Sequence, residues 1–407
     1  MECLWPSLIV SVGLALSACS GGGGTPSPAP IPNPPVVQPT PVSDPIPRLP
    51  EGPHIGTIVG FDPLTSDGPD RAGRVTTLLA DLQNAGATIG RVQLDWGGLE
   101  TAPGVFDRAA VDDAIIEARA AGPLVFFTLS TLDSDGLTLP DDLLENGDLR
   151  AGLTLSSPEV IERFEAFLDW LIPIVRDEDV WGIALGNEVD LPVEDAIATA
   201  GEARVFFEAG FARVDALDQD MATSVTFTPG APRRFGDEFS ALVDAMDLVT
   251  FNYYCLDESI QVTRKTRWDS DIRDLKSAAE GKPIFLQELG CPVGYGDDGV
   301  GAPSRPANGL MGTAEIQVEF FEDMTARIAS DPQLRAATVF QLLDWSPELA
   351  KSFSDPLRDA GSDLAADRLE EWLATVGLCR WADATCRDAW PTLLNGVQAI
   401  RDARPAD

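Results

Sequence analysis

The stretch VWGIALGNEVDLPVEDAIATAGEARVFFEAGFARVDALD (residues 180–218) reads as one strand followed by one helix. Residues 180–185 are apolar or glycine without a break, and the strand over 180–188 ends on Asn187-Glu188. From 193 to 218 the apolar residues return at helical spacing. Ending an apolar run on a carboxylate costs free energy, because burial strips water from the charged form. Glu188 therefore needs a chemical reason to stand there.

The same alternation extends in both directions. Strands are expected at 54–63, 88–96 and 123–130 before this unit, and at 221–229, 247–254, 283–290 and 335–345 after it. Amphipathic helices are expected at 70–86, 107–122, 157–177, near 236–245, at 268–281 and at 312–330, with the last in 363–376 or 389–402. Eight strands alternating with helices place the chain in the α/β class with a parallel sheet. A (β/α)8 TIM barrel of roughly 250 residues plus insertions accounts for the 407 residues. A doubly wound sheet is the alternative, but no Gly-x-Gly-x-x-Gly follows the first strand as a dinucleotide domain requires. The expected organisation is a catalytic barrel over 51–350 and a C-terminal helical segment over 351–407 that completes it.

Composition narrows the partners. Lys and Arg number 29 against 65 Asp and Glu, a formal charge of −36. Such a surface repels nucleic-acid phosphates and anionic headgroups, so neither is an expected partner. The acidic residues are scattered along the chain, which is the pattern of a solvated surface.

In a barrel of this kind the chemistry sits at the C-terminal ends of the strands. The second strand carries Arg91 and ends at Asp95-Trp96, the fourth ends at Asn187-Glu188, and the sixth at Asn252-Tyr253-Tyr254. The seventh ends at Gln287-Glu288, and the eighth runs through Gln341 to Asp344-Trp345. Glu188 and Glu288 are 288 − 188 = 100 residues apart. Three βα units of roughly 31 residues each give about 94, which suits strands four and seven. Two carboxyls across a barrel mouth fit glycoside hydrolysis, where one must be protonated to serve the leaving oxygen and the other ionised. Structural salt bridges at the strand ends are the alternative for this pair. Clusters at zinc spacing and a nucleophile elbow are both missing from the sequence, so no metal or cofactor is expected.

With these residues assembled, the chain resembles clan A of the glycoside hydrolases, the cellulase-, mannanase- and β-1,3-glucanase-like barrels. GNE at 186–188 is similar to that clan's acid/base motif, and QELG at 287–290 to its nucleophile strand. The resemblance covers about 54–346. It implies a retaining double displacement on a β-linked saccharide, with Glu188 as general acid/base, Glu288 as nucleophile and Asn187 as donor to the sugar 2-hydroxyl. By the same resemblance Arg91 and Tyr254 hold the nucleophile, and Trp345 floors the sugar subsite. The only histidine is His54, so histidines found at the sites of many clan members have no counterpart here. Trp96 and Trp268 offer further sugar-sized faces, with core packing as the equal alternative; Trp170 and Trp372 read as core. Loops 131–156 and 290–311 are expected to wall the substrate groove. A carbohydrate-binding barrel without activity is the competing function, although both glutamates are present.

The N-terminus reads as a targeting segment. An apolar run closes on Leu16-Ser17-Ala18-Cys19, which resembles a bacterial lipobox. The resemblance implies removal of residues 1–18 and a lipid on Cys19, with the membrane reached only through that anchor. MECLW lacks the Lys or Arg that begins a signal peptide, which leaves a start upstream of Met1 open; a non-lipidated secretory signal is the alternative. Residues 19–50 are rich in Gly and then Pro, the composition of a tether. By the same resemblance alone, Ser20 beside the cysteine is compatible with the outer membrane. Of six cysteines, Cys3 and Cys19 fall in this segment. In an exported domain the other four are expected to pair as Cys379–Cys386 and Cys255–Cys291, with free buried thiols as the alternative.

Overall fold

The structure is a computed structural model and describes residues 48–59, 69–134, 136–297, 309–383 and 385–405. The lipobox, Cys19 and most of the tether lie outside the described residues.

The chain folds as a (β/α)8 TIM barrel. Its strands are β1 (His54–Ile58), β2 (Ile89–Asp95), β3 (Leu124–Ser130), β4 (Gly182–Ala184), β5 (in two pieces, Ala222–Ser224 and Thr226–Phe227), β6 (Val249–Tyr254), β7 (Ile284–Gly290) and β8 (Leu334–Val339). All neighbours pair in parallel, from the first piece of β5 through β4, β3, β2, β1, β8, β7 and β6 to its second piece. The interruption at Val225 thus lets one strand face both neighbours and close the barrel. Thr226 N donates to Gly186 O across the break.

Helices α1 (Pro69–Ala85), α2 (Arg108–Ala121), α3 (Pro158–Asp177), α4 (Ala200–Leu217), α5 (Asp237–Ala245), α6 (Lys265–Ala278) and α7 (Ala314–Ser330) follow β1 to β7. Their starts have local causes. Asp107 accepts from Ala110 N ahead of α2, and Thr199 forms a capping box with Glu202 ahead of α4. Gly90 lets α2 approach β2, since a Cβ there would stand 1.8 Å from Ala118 O.

After β8 come α8 (Pro347–Asp359), α9 (Asp363–Leu373) and α10 (Ala389–Asp402). Of the two segments considered for the closing helix, 389–402 lies between α7 and α1: Gly396 is pressed on Thr325, and Arg401 covers Gly86. Helices α8 and α9 are an added pair. Their Ala350, Leu357, Leu369 and Leu373 pack with Ile58, Phe340 and Trp345 at the barrel mouth.

Inside the barrel, Ile89, Phe126, Trp181, Leu248, Phe285 and Ala336 form the floor, with Leu49 packed among them. Arg48 donates to Val180 O at 3.1 Å and to Asp218 Oδ1 at 3.0 Å. Residues 48–50, assigned above to the tether, therefore belong to the barrel base. Two strands are also shorter than the sequence suggests. The eighth leaves the sheet after Val339, and Leu343 bridges to Cys379 instead. The fourth stops at Ala184, and Glu188 adopts φ 47°. Residues 60–63 of the first expected strand lie outside the described residues. Disulfides join Cys255 to Cys291 and Cys379 to Cys386. Among the described residues no helix is long and apolar enough to cross a membrane.

Candidate active site

Glu288 reaches the mouth through an irregularity in β7. Phe251 of β6 stands opposite Leu286, but the next residue, Asn252, stands opposite Glu288. One extra residue on β7 re-aims the side chains beyond it, as a bulge does. Gln287 stays inside the barrel, accepting from Thr226 Oγ1 at 2.8 Å, while Glu288 turns to Arg91 and Tyr254. Arg91 Nη1 lies 2.9 Å from its Oε1, and the Tyr254 hydroxyl 2.5 Å from its Oε2. Arg91 is fully buried and fixed by Thr128 Oγ1 at 3.0 Å and Gln93 Oε1 at 2.5 Å. Burial and then the Glu288 charge push the Tyr254 hydroxyl well above its ordinary range, so it stays a donor. Strand alternation sends Tyr253 the other way, to Asp271 at 3.2 Å.

Glu188 sits across the mouth in a different setting. Ser134 Oγ donates to its Oε2 at 2.7 Å and Asn252 Nδ2 to its Oε1 at 3.0 Å. Burial first and the Glu288 charge second push its carboxyl up to about 8, against the pull of those two hydrogen bonds. At neutral pH this environment favours the protonated form. Its left-handed backbone is a rare conformation for a non-glycine residue, and such strain collects at functional sites.

Asp133 joins the two sides, and the sequence reading missed it. Its Oδ2 accepts from Gln93 Nε2 and Ser130 Oγ, both at 2.7 Å. Its Oδ1 accepts from Ser134 N at 2.7 Å, Ser134 Oγ at 3.1 Å and Asn187 Nδ2 at 3.0 Å. Asn252 Nδ2 also donates to Asn187 Oδ1 at 3.1 Å. A continuous chain thus runs from Glu288 through Arg91, Gln93, Asp133, Asn187 and Asn252 to Glu188. The polar island Ser130…Asp133-Ser134 after the apolar third strand was the available signal. Loop 131–156 contributes these groups. The other expected wall, 290–311, is held at Tyr295 N and Leu310 N by Glu371, each at 2.7 Å, and its residues 298–308 lie outside the described residues.

The aromatic assignments need correction. Trp96 has no exposed surface: it packs on Phe164 and Phe167 with centroids 5.0 and 5.8 Å away, and donates to Glu100 at 2.9 Å. Trp268 is equally enclosed, against Phe320 at 5.2 Å, and donates to Thr263 at 3.0 Å. Neither face is available for a sugar. Trp345 is 5% exposed, packs on Phe353 at 4.7 Å and has no partner for its indole N–H among the described residues. Trp372, read as core, stands edge-on to Tyr254 at 4.8 Å, and Phe340 stands edge-on to the same Tyr254 ring at 5.7 Å. Among the described residues no cluster of His, Cys, Asp and Glu could hold a metal ion.

No protein-family model matches the chain, and no curated protein matches it in sequence. Solved structures do match in fold. A GH5_18 protein from Streptomyces cattleya in complex with GlcNAc aligns with TM-score 0.63 at 18% identity, over 88% of this chain and 82% of its own. A glutamate-to-alanine variant of a GH5_18 protein from Bifidobacterium longum subsp. longum, in complex with Manβ1-4GlcNAc, gives TM-score 0.62 at 15% identity, over 88% and 80%. The exo-β-1,4-mannosidase Op5Man5 from an Opitutaceae bacterium gives 0.63 at 16%, over 89% of this chain and 63% of its own length. At these identities the likeness is one of fold.

Proposed function

We propose that this chain is a retaining glycoside hydrolase that cuts β-linked saccharides with Glu288 as nucleophile and Glu188 as general acid/base. The observation that carries the reading is the division of environments. Arg91 and Tyr254 bring two donors to Glu288, while burial and the facing charge keep Glu188 protonated at neutral pH. In the first step a Glu288 oxygen attacks the anomeric carbon, the glycosidic C–O bond breaks, and the Glu188 proton goes to the leaving oxygen. In the second, Glu188 takes a proton from water, the water oxygen attacks the anomeric carbon, and the bond to Glu288 breaks. Asn187 Nδ2 uses one hydrogen on Asp133, which leaves the other for the sugar 2-hydroxyl. We assign Trp345 to the sugar-facing side of the same site.

The fold neighbours that hold Manβ1-4GlcNAc or are named as β-mannosidases make β-mannosides the first substrates to try. Aryl β-glycosides with good leaving groups would be offered to wild type and to Glu288→Ala. Turnover lost in the variant and restored by azide with inverted product supports the assignment. Saccharide binding without turnover by the wild type would favour a binding barrel. We further propose that the protein is exported and held to a bacterial membrane by a lipid on Cys19. Labelled palmitate should enter the wild type and not Cys19→Ser; equal labelling of both would refute the anchor.

A further inference from the structure

Alternation along β2 continues past the groups already described. Ile89, Arg91, Gln93 and Asp95 fall on one face of the strand. Ile89 is part of the floor, Arg91 holds Glu288, and Gln93 bridges to Asp133. Asp95 is the next position up, half-buried at the mouth.

The other carboxyls there are supplied with donors. Glu188 and Glu288 each have two, and Asp133 has five. Asp95 has none among the described residues, and it makes no cap bond to the short helix Trp96–Leu99 that it precedes. Burial and then the Asp133 charge push its carboxyl up to about 7. Asp95 keeps part of its surface open at the mouth, so its carboxyl is free to meet a ligand there.

A second observation falls on the same part of the mouth. The strand order sets β8, β1 and β2 side by side. Just after β8, Gln341 is 5% exposed and its Nε2 has no partner among the described residues; nor has Trp345 Nε1. On the opposite arc, Ser130, Asp133, Asn187 and Glu188 are bonded to one another or to their neighbours. Asn252 Oδ1 on β6 and Gln287 Nε2 on β7 are unmet as well, so what distinguishes the β8–β1–β2 arc is Asp95, a carboxyl without a donor, on the same arc as Gln341 and Trp345.

We propose that Asp95 is a sugar-binding residue, whose carboxyl hydrogen-bonds hydroxyls of a neutral saccharide held on the β8–β1–β2 side of the mouth. The proposal rests on the glycosidase reading. It predicts a binding defect with little defect in chemistry, because Asp95 touches neither glutamate. The test compares wild type, Asp95→Ala and Asp95→Asn on 4-nitrophenyl β-glucoside, β-mannoside, β-galactoside and N-acetyl-β-glucosaminide. On the best wild-type substrate, KM for Asp95→Ala should rise about tenfold or more, the scale of one lost hydrogen bond to a charged group. The kcat should stay within about threefold, and Asp95→Asn should fall between. Thermal melting should not drop, since no internal bond is lost.

An unchanged KM in an active background would overturn the Asp95 assignment and leave the hydrolase standing. A fall in Tm that tracks the loss of activity would make the residue structural and overturn it too. If wild type turns over nothing, calorimetry with mannobiose and cellobiose decides. Binding lost in Asp95→Ala would keep the subsite and remove the hydrolase reading; no binding by wild type would remove both.

Discussion

Ser134 Oγ stands 2.7 Å from Glu188 Oε2 while its own backbone N–H is held by Asp133, so the partner of the proposed acid is itself fixed. The hydroxyl stabilises the ionised form of Glu188 and opposes the upward pressure of burial. Removing it should let the pKa climb further. In Ser134→Ala the alkaline limb of kcat/KM, which in the proposed mechanism reports loss of the Glu188 proton, should move up by about one unit. The maximal rate should fall as the carboxyl loses its orientation. A limb that stays put, or moves down, would show that another group sets it.

The Cys255–Cys291 bridge lies one residue past Tyr254 and three past Glu288, with Cα atoms 5.1 Å apart. It ties the ends of β6 and β7, the two strands that supply the tyrosine–glutamate contact. Replacing both cysteines by serine should cost about 3 kcal/mol of stability through the freed loop. It should also lower kcat more than it raises KM, because the contact that slackens holds the proposed nucleophile. Denaturant unfolding and steady-state kinetics of the double variant test this. A stability loss with kcat unchanged would leave the bridge a staple only.

Asp133 accepts from Gln93, Ser130, Ser134 and Asn187, so its truncation strands donors on both sides of the site. Asp133→Ala should cut kcat/KM by about a hundredfold, on the order of two lost hydrogen bonds to a charged group. Asp133→Asn, which keeps one acceptor oxygen, should retain more. Equal losses in the two would mean that charge, and not acceptor geometry, is what the network needs.

The frame is readable in the sequence because its long elements are strongly periodic: α3 is expected at 157–177 and spans Pro158–Asp177. Two glutamates at strand ends are readable for a related reason, since carboxylates closing apolar runs are costly. What alternation cannot show is a bulge. Gln287 and Glu288 are adjacent, and only the extra residue on β7 lets both serve the barrel interior. Nor does residue type fix exposure. Trp268 opens a helix whose buried face is not visible in the sequence, while Trp372 on α9 is carried to Tyr254 by an added helix pair. The eighth strand reads too long because FQLLDW stays apolar after the sheet ends, its partners being the added helices and Cys379.

The environment that keeps Glu188 protonated also makes stability depend on pH. Its folded pKa, about 8, lies above the ordinary value of 4.5. Between those values the native state holds a proton that the unfolded chain has released. Stability from this group is therefore full below about pH 4.5 and declines as pH rises toward 8. Glu188→Gln is neutral throughout and keeps the shape, so it should be more stable than wild type by a few kcal/mol at about pH 8 and nearly equal near pH 4. Activity on substrates that need protonation of the leaving group should collapse in the same variant. Urea unfolding of both proteins at the two pH values measures the difference. A constant gap would mean that Glu188 does not carry the shifted proton, and the division of environments at the mouth would need another basis.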